Sequence, residues 1–166
     1  MCIGISLIIS RGRMEPYGLS GENSHEKLKE HFKIRDAGQN IIPVEWHPTG
    51  ELTDIAAWKF HIDDNAEKYA WFTERENEYI EAARVFLENE ILKILNTGNY
   101  FGFLDLRGTG ITSLGALTSV GGSLDLRDTG ITSLGALTSV GGSLYLRDTG
   151  IKKENVPENL ITKCIW

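Results

Sequence analysis

Four residues in two nearby segments have the types and spacing of a metal site. In "VEWHP", Glu45 and His47 flank Trp46, and in "WKFHIDD" His61 and Asp63 alternate with apolar residues. Alternate residues of a strand point to opposite faces, so these polar side chains share the face opposite Trp46. Two imidazoles and two carboxylates on adjacent strands form a ligand set for zinc or manganese. The alternative is that they form the solvent-facing side of a half-buried strand pair.

Two other histidines do not add to this set. In "HEKLKEH", His25 and His31 are six positions apart, and Lys29 stands where a zinc-protease motif has its second histidine. Six residues of helix turn the two side chains to different faces. The sequence therefore predicts no metal site on this helix.

Cys2 is a candidate nucleophile. Removal of Met1 would leave a free amine, with a pKa of about 8, beside a thiol that it could activate. The opening "MCIGIS" resembles the "MCGI" start of class II glutamine amidotransferases, although Ile3 separates the cysteine from the glycine. The alternative is that Cys2 simply begins a core strand.

The C-terminal half copies itself. Residues 124–143, "LDLRDTGITSLGALTSVGGS", repeat residues 104–123 with Asp128 in place of Gly108, and a third copy begins at Leu144. Strand alternation places two rows of side chains outward, and these are the predicted binding residues: Asp105, Asp125 and Tyr145 in one row, and Arg107, Arg127 and Arg147 in the next. A partner's carboxylates or phosphates could neutralise the arginines; the alternative is that the aspartates already do so.

The N-terminal half has the pattern of a small α+β domain in the order strand-strand-helix-strand-strand-helix, with its helices on one face of the sheet. Asn23, with Glu26 three positions later, predicts the start of the first helix. Thr73 and Glu76 predict a capping box at the start of the second helix, which continues to Leu95.

The repeats predict a short solenoid of about three coils, because a 20-residue period cannot bury its apolar side chains alone. Each coil has apolar residues at the same offsets, which are Leu104, Leu106, Ile111, Leu114, Leu117 and Val120 in the first copy. The pattern resembles short bacterial leucine-rich repeats, with Thr109, Thr129 and Thr149 where that family has asparagine. A leucine-rich-repeat-like coil and a simpler β-solenoid both fit. The expected organisation is an α+β domain at 1–98, repeats at 99–151 and a C-terminal cap at 152–166.

Composition narrows the choice of partners. The net charge of −6 argues against a surface that follows nucleic-acid phosphates. No apolar run approaches the roughly 20 residues that cross a bilayer. The two cysteines, at opposite ends of the sequence, are too few for a disulfide framework. We therefore expect a cytoplasmic protein with neither a nucleic-acid nor a membrane partner, and we expect no cofactor.

The segments "MCIGISLII", "NSHEKL", "VEWHP" and "AAWKFHIDD", followed by an acidic helix, resemble the N-terminal domain of small phage and prophage accessory proteins of uncharacterised function. The resemblance implies a viral protein acting in the host bacterial cytoplasm, and counteracting host defence is a common role of such proteins. The leading prediction is a non-enzymatic protein that binds a host protein or a small anionic ligand such as a nucleotide. The alternatives are an enzyme that uses Cys2 or the metal face, and a structural module that forms homo-oligomers.

Overall fold

The structure is a computed structural model that describes residues 4–166. The strands of its N-terminal half are β1 (Ile5–Ser10), β2 (Arg13–Tyr17), β3 (Ile41–Pro48) and β4 (Trp58–Ile62). They form a four-stranded antiparallel sheet in the order β2-β1-β3-β4. The element order confirms the mixed α+β class.

Helices cover both faces of this sheet. In β1, Leu7 and Ile9 join the main core together with Leu87 of helix α3 (Glu76–Thr97), whereas Ile8 packs with Leu28 of helix α1 (His25–Phe32). The prediction that the helices share one face is therefore wrong. Because Leu7, Ile8 and Ile9 are consecutive and all buried, β1 carries apolar side chains on both of its faces.

Both predicted helix starts are also wrong. The N-cap of α1 is Ser24, whose hydroxyl accepts a bond from the Lys27 amide at 3.4 Å. The buried Asn23 instead accepts the Ser6 hydroxyl at its backbone carbonyl. Thr73 ends a separate short helix, α2 (Ala70–Thr73), and donates its hydroxyl to the Tyr69 carbonyl, so α3 begins after Arg75 without a side-chain cap.

The C-terminal half forms two parallel sheets whose strands pair one repeat apart. The strands of one sheet are β5 (Asn99–Tyr100), β7 (Ser119–Val120) and β9 (Ser139–Val140), and those of the other are β6 (Leu104–Asp105), β8 (Leu124–Asp125), β10 (Leu144–Tyr145) and β11 (Cys164–Ile165). The first sheet has the order β5-β7-β9 and the second β11-β10-β8-β6. Leu104 pairs with Leu124, and Leu124 pairs with Leu144, so neighbouring strands are offset by the sequence period.

The apolar positions predicted from the period are buried in every copy. The residues of the second copy are Leu124, Leu126, Ile131, Leu134, Leu137 and Val140. Thr109, Thr129 and Thr149 each donate the side-chain hydroxyl to the carbonyl three residues earlier, at 2.6 to 2.7 Å. Each threonine thus satisfies a backbone carbonyl within its own copy of the repeat.

The two halves share one hydrophobic core, which runs without a break from the first sheet through the repeats to Leu160. The Gly4 amide donates to the Asp105 carbonyl at 2.6 Å, and the Leu52 amide donates to the Ser113 carbonyl at 2.8 Å. At the other end, β11 pairs with β10, and helix α4 (Glu158–Ile161) packs beside β9. Within residues 4–166, no helix is both long and apolar enough to span a bilayer.

Candidate functional site

The strand pair brings three of the predicted metal-face residues together. Glu45 lies directly opposite His61 in the β3–β4 register. His47 Nε2 is 2.7 Å from Glu45 Oε2, and the His47 and His61 rings stack with centroids 4.2 Å apart. Partial burial and the neighbouring His47 imidazole lower the pKa of His61 below its ordinary value.

His25, which the sequence interpretation set aside, completes this group. Its Nδ1 is 3.5 Å from Asp63 Oδ2, and its Nε2 is 3.1 Å from the Val44 carbonyl oxygen. This part of the face is not the solvent-facing side that the alternative interpretation expects: the first turn of α1 lies over it, and His25 and Glu45 are buried. We call His25, Glu45, His47, His61 and Asp63 the histidine cluster.

Sequence spacing could not reveal the role of His25. Its distance along the chain from Glu45 and Asp63 carries no signal, and only the crossing of α1 over the sheet brings the three residues together. Their ligand atoms lie within 4.8 Å of one another. The cluster can therefore offer one imidazole and two carboxylates to a cation.

The repeat strands form the second candidate site, but its aspartates do not point outward as predicted. Asp105 and Asp125 are 0% and 1% exposed. Each carboxylate accepts the backbone amide two residues later, from Arg107 at 3.3 Å and Arg127 at 3.2 Å. The bond to the backbone amide holds each carboxylate against its own strand, where the side chain of Arg107 or Arg127 covers it.

The arginines lie at the surface, and each has an acidic neighbour. Arg127 bonds Asp125 through two nitrogens, Nε to Oδ1 at 2.9 Å and Nη2 to Oδ2 at 2.5 Å. These bonds raise the pKa of Arg127. Arg107 Nη2 is 3.0 Å from Asp105 Oδ2, and the exposed Arg147 pairs with Asp148 at 3.2 Å.

Tyr145 replaces the aspartate in the third strand and changes the local surface. The Arg127 guanidinium lies 5.0 Å from the centre of its ring. Together with Phe103 and Ser123, these residues line a concavity of about 480 Å³. The spacing of the repeats indicated Tyr145, but it did not indicate Phe103, which stands just before the first strand. We call Phe103, Asp125, Arg127, Tyr145 and Arg147 the repeat-strand face.

Cys2, the candidate nucleophile, lies outside the described residues. Comparison with known proteins adds no candidate function: no family model, curated protein or solved structure gives a significant match to the chain. The assignment of a function to either candidate site therefore depends on the geometry of its residues alone.

Proposed function

We propose that this chain is a non-enzymatic binding protein whose repeats form a short solenoid of 20-residue coils and present the repeat-strand face to a protein partner. The solenoid is supported by the offset of one repeat in both parallel sheets. In this proposal the N-terminal sheet covers one end of the stack, and the segment with α4 and β11 covers the other.

The geometry of Arg127 carries the proposal. A guanidinium has five N–H groups, and the two bonds to Asp125 use two of them. The remaining N–H groups are held in one orientation by a buried carboxylate on one side and by the Tyr145 ring on the other. A partner's carboxylate or carbonyl oxygens would meet a pre-oriented donor, which reduces the entropy lost on binding.

The charge balance favours a protein partner over a nucleotide. Asp105 and Asp125 neutralise two of the three arginines, and Asp148 lies beside the third. A polyphosphate would meet little uncompensated positive charge here, and the whole chain carries −6. A protein segment that sets an acidic side chain on Arg127 and an apolar one against Phe103 and Tyr145 suits the concavity.

The proposed partner is a host protein. This part of the proposal is supported by the resemblance of the N-terminal segments to phage and prophage accessory proteins. Such a protein would act in the bacterial cytoplasm by occupying a surface of its target, so it would need no catalytic group. Sequestering a defence factor is one activity that this mode of action would allow.

The proposal is tested by capturing partners from bacterial lysate with immobilised wild-type protein and with single variants. Arg127→Gln and Tyr145→Ala remove the oriented donor and the ring, whereas Thr132→Ala changes an exposed position elsewhere in the same repeat. A specific partner should be retained by the wild type and by Thr132→Ala, and should be lost from the other two variants. Equal retention by all four proteins would rule out the repeat-strand face as the binding surface.

A further inference from the structure

We infer that His25, Glu45 and Asp63 form a binding site for a divalent transition-metal ion, with Zn²⁺ the ion that the donor set suits best. The inference is independent of the proposed binding function, because it concerns the N-terminal sheet and α1. Zinc accepts both imidazole nitrogen and carboxylate oxygen, whereas Mg²⁺ and Ca²⁺ prefer oxygen ligands alone.

The distances require only small side-chain movements. His25 Nδ1 and Asp63 Oδ2 are 3.5 Å apart. Donor atoms of tetrahedral zinc with bonds of about 2.0 Å are themselves about 3.3 Å apart. All three ligand atoms lie within 4.8 Å of one another. The centre of a triangle with sides of that length is about 2.8 Å from its corners, so shifts of less than about 1 Å would form the bonds.

Val44 fixes the tautomer of His25 that a metal needs. The carbonyl of Val44 can only accept a hydrogen bond, so the proton lies on His25 Nε2, 3.1 Å away. In the neutral ring the lone pair is then on Nδ1, the atom that faces Asp63. Histidines that bind metals usually donate their second ring nitrogen to a carbonyl or a carboxylate in this way.

Both carboxylates are also oriented by neighbouring groups. Asp63 Oδ1 accepts the Asn65 amide at 3.0 Å, which leaves Oδ2 turned toward His25. His47 Nε2 lies 2.7 Å from Glu45 Oε2 and is itself stacked on His61. His47 and His61 would therefore act as positioning residues that support Glu45 rather than as ligands.

Burial is consistent with a bound cation and leaves a route for its entry. His25 and Glu45 are buried, whereas the Asp63 side chain is 27% exposed. A metal ion held by His25, Glu45 and Asp63 would offset the charge of the two carboxylates.

The experiment is calorimetric titration of the chelator-treated 166-residue chain with Zn²⁺, with Mg²⁺ as the comparison ion. Wild-type protein should bind one Zn²⁺ per chain at this site and should bind Mg²⁺ far more weakly. His25→Gln and Asp63→Asn should each weaken zinc binding by more than about 100-fold, because a lost ligand costs more than a lost supporting partner. His31→Gln, on the same helix, should bind zinc as the wild type does.

Asp63→Asn and the absorption spectrum of bound Co²⁺ test the metal site independently of His25→Gln. Asp63 is partly exposed, and the side-chain amide introduced by Asp63→Asn keeps an oxygen that can accept the Asn65 amide, so this variant tests the site even if His25→Gln does not fold. Co²⁺ in the site should give the intense visible absorption of tetrahedral coordination without a thiolate charge-transfer band. Zinc binding that is lost in Cys2→Ser but kept in Asp63→Asn would overturn the inference, as would the absence of zinc binding to the wild type.

Discussion

Arg127 donates two parallel hydrogen bonds to Asp125, from Nε to Oδ1 at 2.9 Å and from Nη2 to Oδ2 at 2.5 Å, and the Asp125 carboxylate is almost fully buried. We expect Asp125→Asn to lower the free energy of unfolding by about 2 kcal/mol, because the amide weakens bonds to a charged partner. Urea denaturation monitored by circular dichroism would measure the loss.

Asp105 provides the matched control one repeat earlier. Its Oδ2 lies 3.0 Å from Arg107 but has no hydrogen-bond partner among the described residues. Asp105→Asn should therefore cost less than Asp125→Asn at pH 7. Equal losses in the two variants would show that the paired hydrogen bonds of Arg127 add no stability.

The stability of the protein should also depend on pH through Asp105. Burial raises the pKa of this carboxyl above its ordinary value, against the opposing effect of Arg107. The native chain then holds the proton more tightly than the unfolded chain does. The contribution of Asp105 is fully present below about pH 4, the ordinary value, and is lost as pH rises through the raised value.

Denaturation at pH 4 and pH 7 would test this sign. Relative to Asp105→Asn, the wild type should be more stable at pH 4 than at pH 7. Taking the difference between the two proteins removes the contributions of the other carboxylates. A difference that does not change, or that changes in the opposite direction, would contradict the raised pKa.

The sequence period predicted the core of the repeats well, because apolar residues at fixed offsets leave few ways to stack the copies. It did not predict that Asp105 and Asp125 are buried. In strands of only two residues, the bond from each carboxylate to the amide two positions later determines where the side chain lies. Strand alternation applies to longer strands, in which backbone hydrogen bonds to the neighbouring strands on both sides fix the direction of each side chain.

The histidine cluster was predicted only in part, because strand alternation indicates contacts between neighbouring strands but not the position of a helix on the sheet. Glu45, His47 and His61 follow from one strand pairing, which alternation along the two strands indicates. His25 depends on the position of α1 across the sheet. Neither the helix start nor the face that α1 covers was predicted correctly, so its contact with Asp63 could not be found from the sequence.

The one difference between the first two copies has a conformational explanation. Gly108, Asp128 and Asp148 occupy equivalent positions with φ of 65°, 57° and 56°. Aspartate is among the few residues other than glycine that adopt this left-handed conformation readily. Gly108→Asp should change the free energy of unfolding by less than about 0.5 kcal/mol, whereas Gly108→Val should lower it by about 1–2 kcal/mol.

The open space around Gly108 separates the effect of backbone conformation from that of steric clash. A Cβ atom at this position meets nothing within 4 Å, so neither variant introduces a clash at that atom. Thermal unfolding of the two variants beside the wild type would measure the effect. Equal losses for aspartate and valine would mean that the left-handed conformation is not what selects the residue here.

Close packing between the loop before α1 and the segment that joins β5 to β6 should make Gly21 intolerant of alanine. A Cβ at Gly21 would lie 1.7 Å from the Phe101 carbonyl oxygen, whereas a Cβ at Gly12 would meet nothing within 4 Å. The two glycines have nearly equal φ of 77° and 79°, so backbone strain affects both alike. Chemical denaturation should show a loss of about 1 kcal/mol for Gly12→Ala and about 2–4 kcal/mol for Gly21→Ala. Similar losses would contradict the close approach of the two backbones.

Removal of one whole repeat should leave a folded protein. Leu104 pairs with Leu124, which pairs with Leu144 in the same register, so deletion of residues 124–143 would let β6 pair directly with β10. The core positions of the joined copies would still coincide. We expect a cooperative urea transition whose m-value falls roughly in proportion to the residues removed, because m follows the surface exposed on unfolding.

Deletion of residues 124–133 is the matched control, since it removes half a period and brings unlike positions into register. This variant should lose the cooperative transition, because apolar residues of one copy would lie against turn residues of the next. If both deletions fold equally well, the stacking of equivalent positions does not stabilise the repeats. If the 20-residue deletion unfolds the whole chain, the second copy makes contacts that the first and third copies cannot replace.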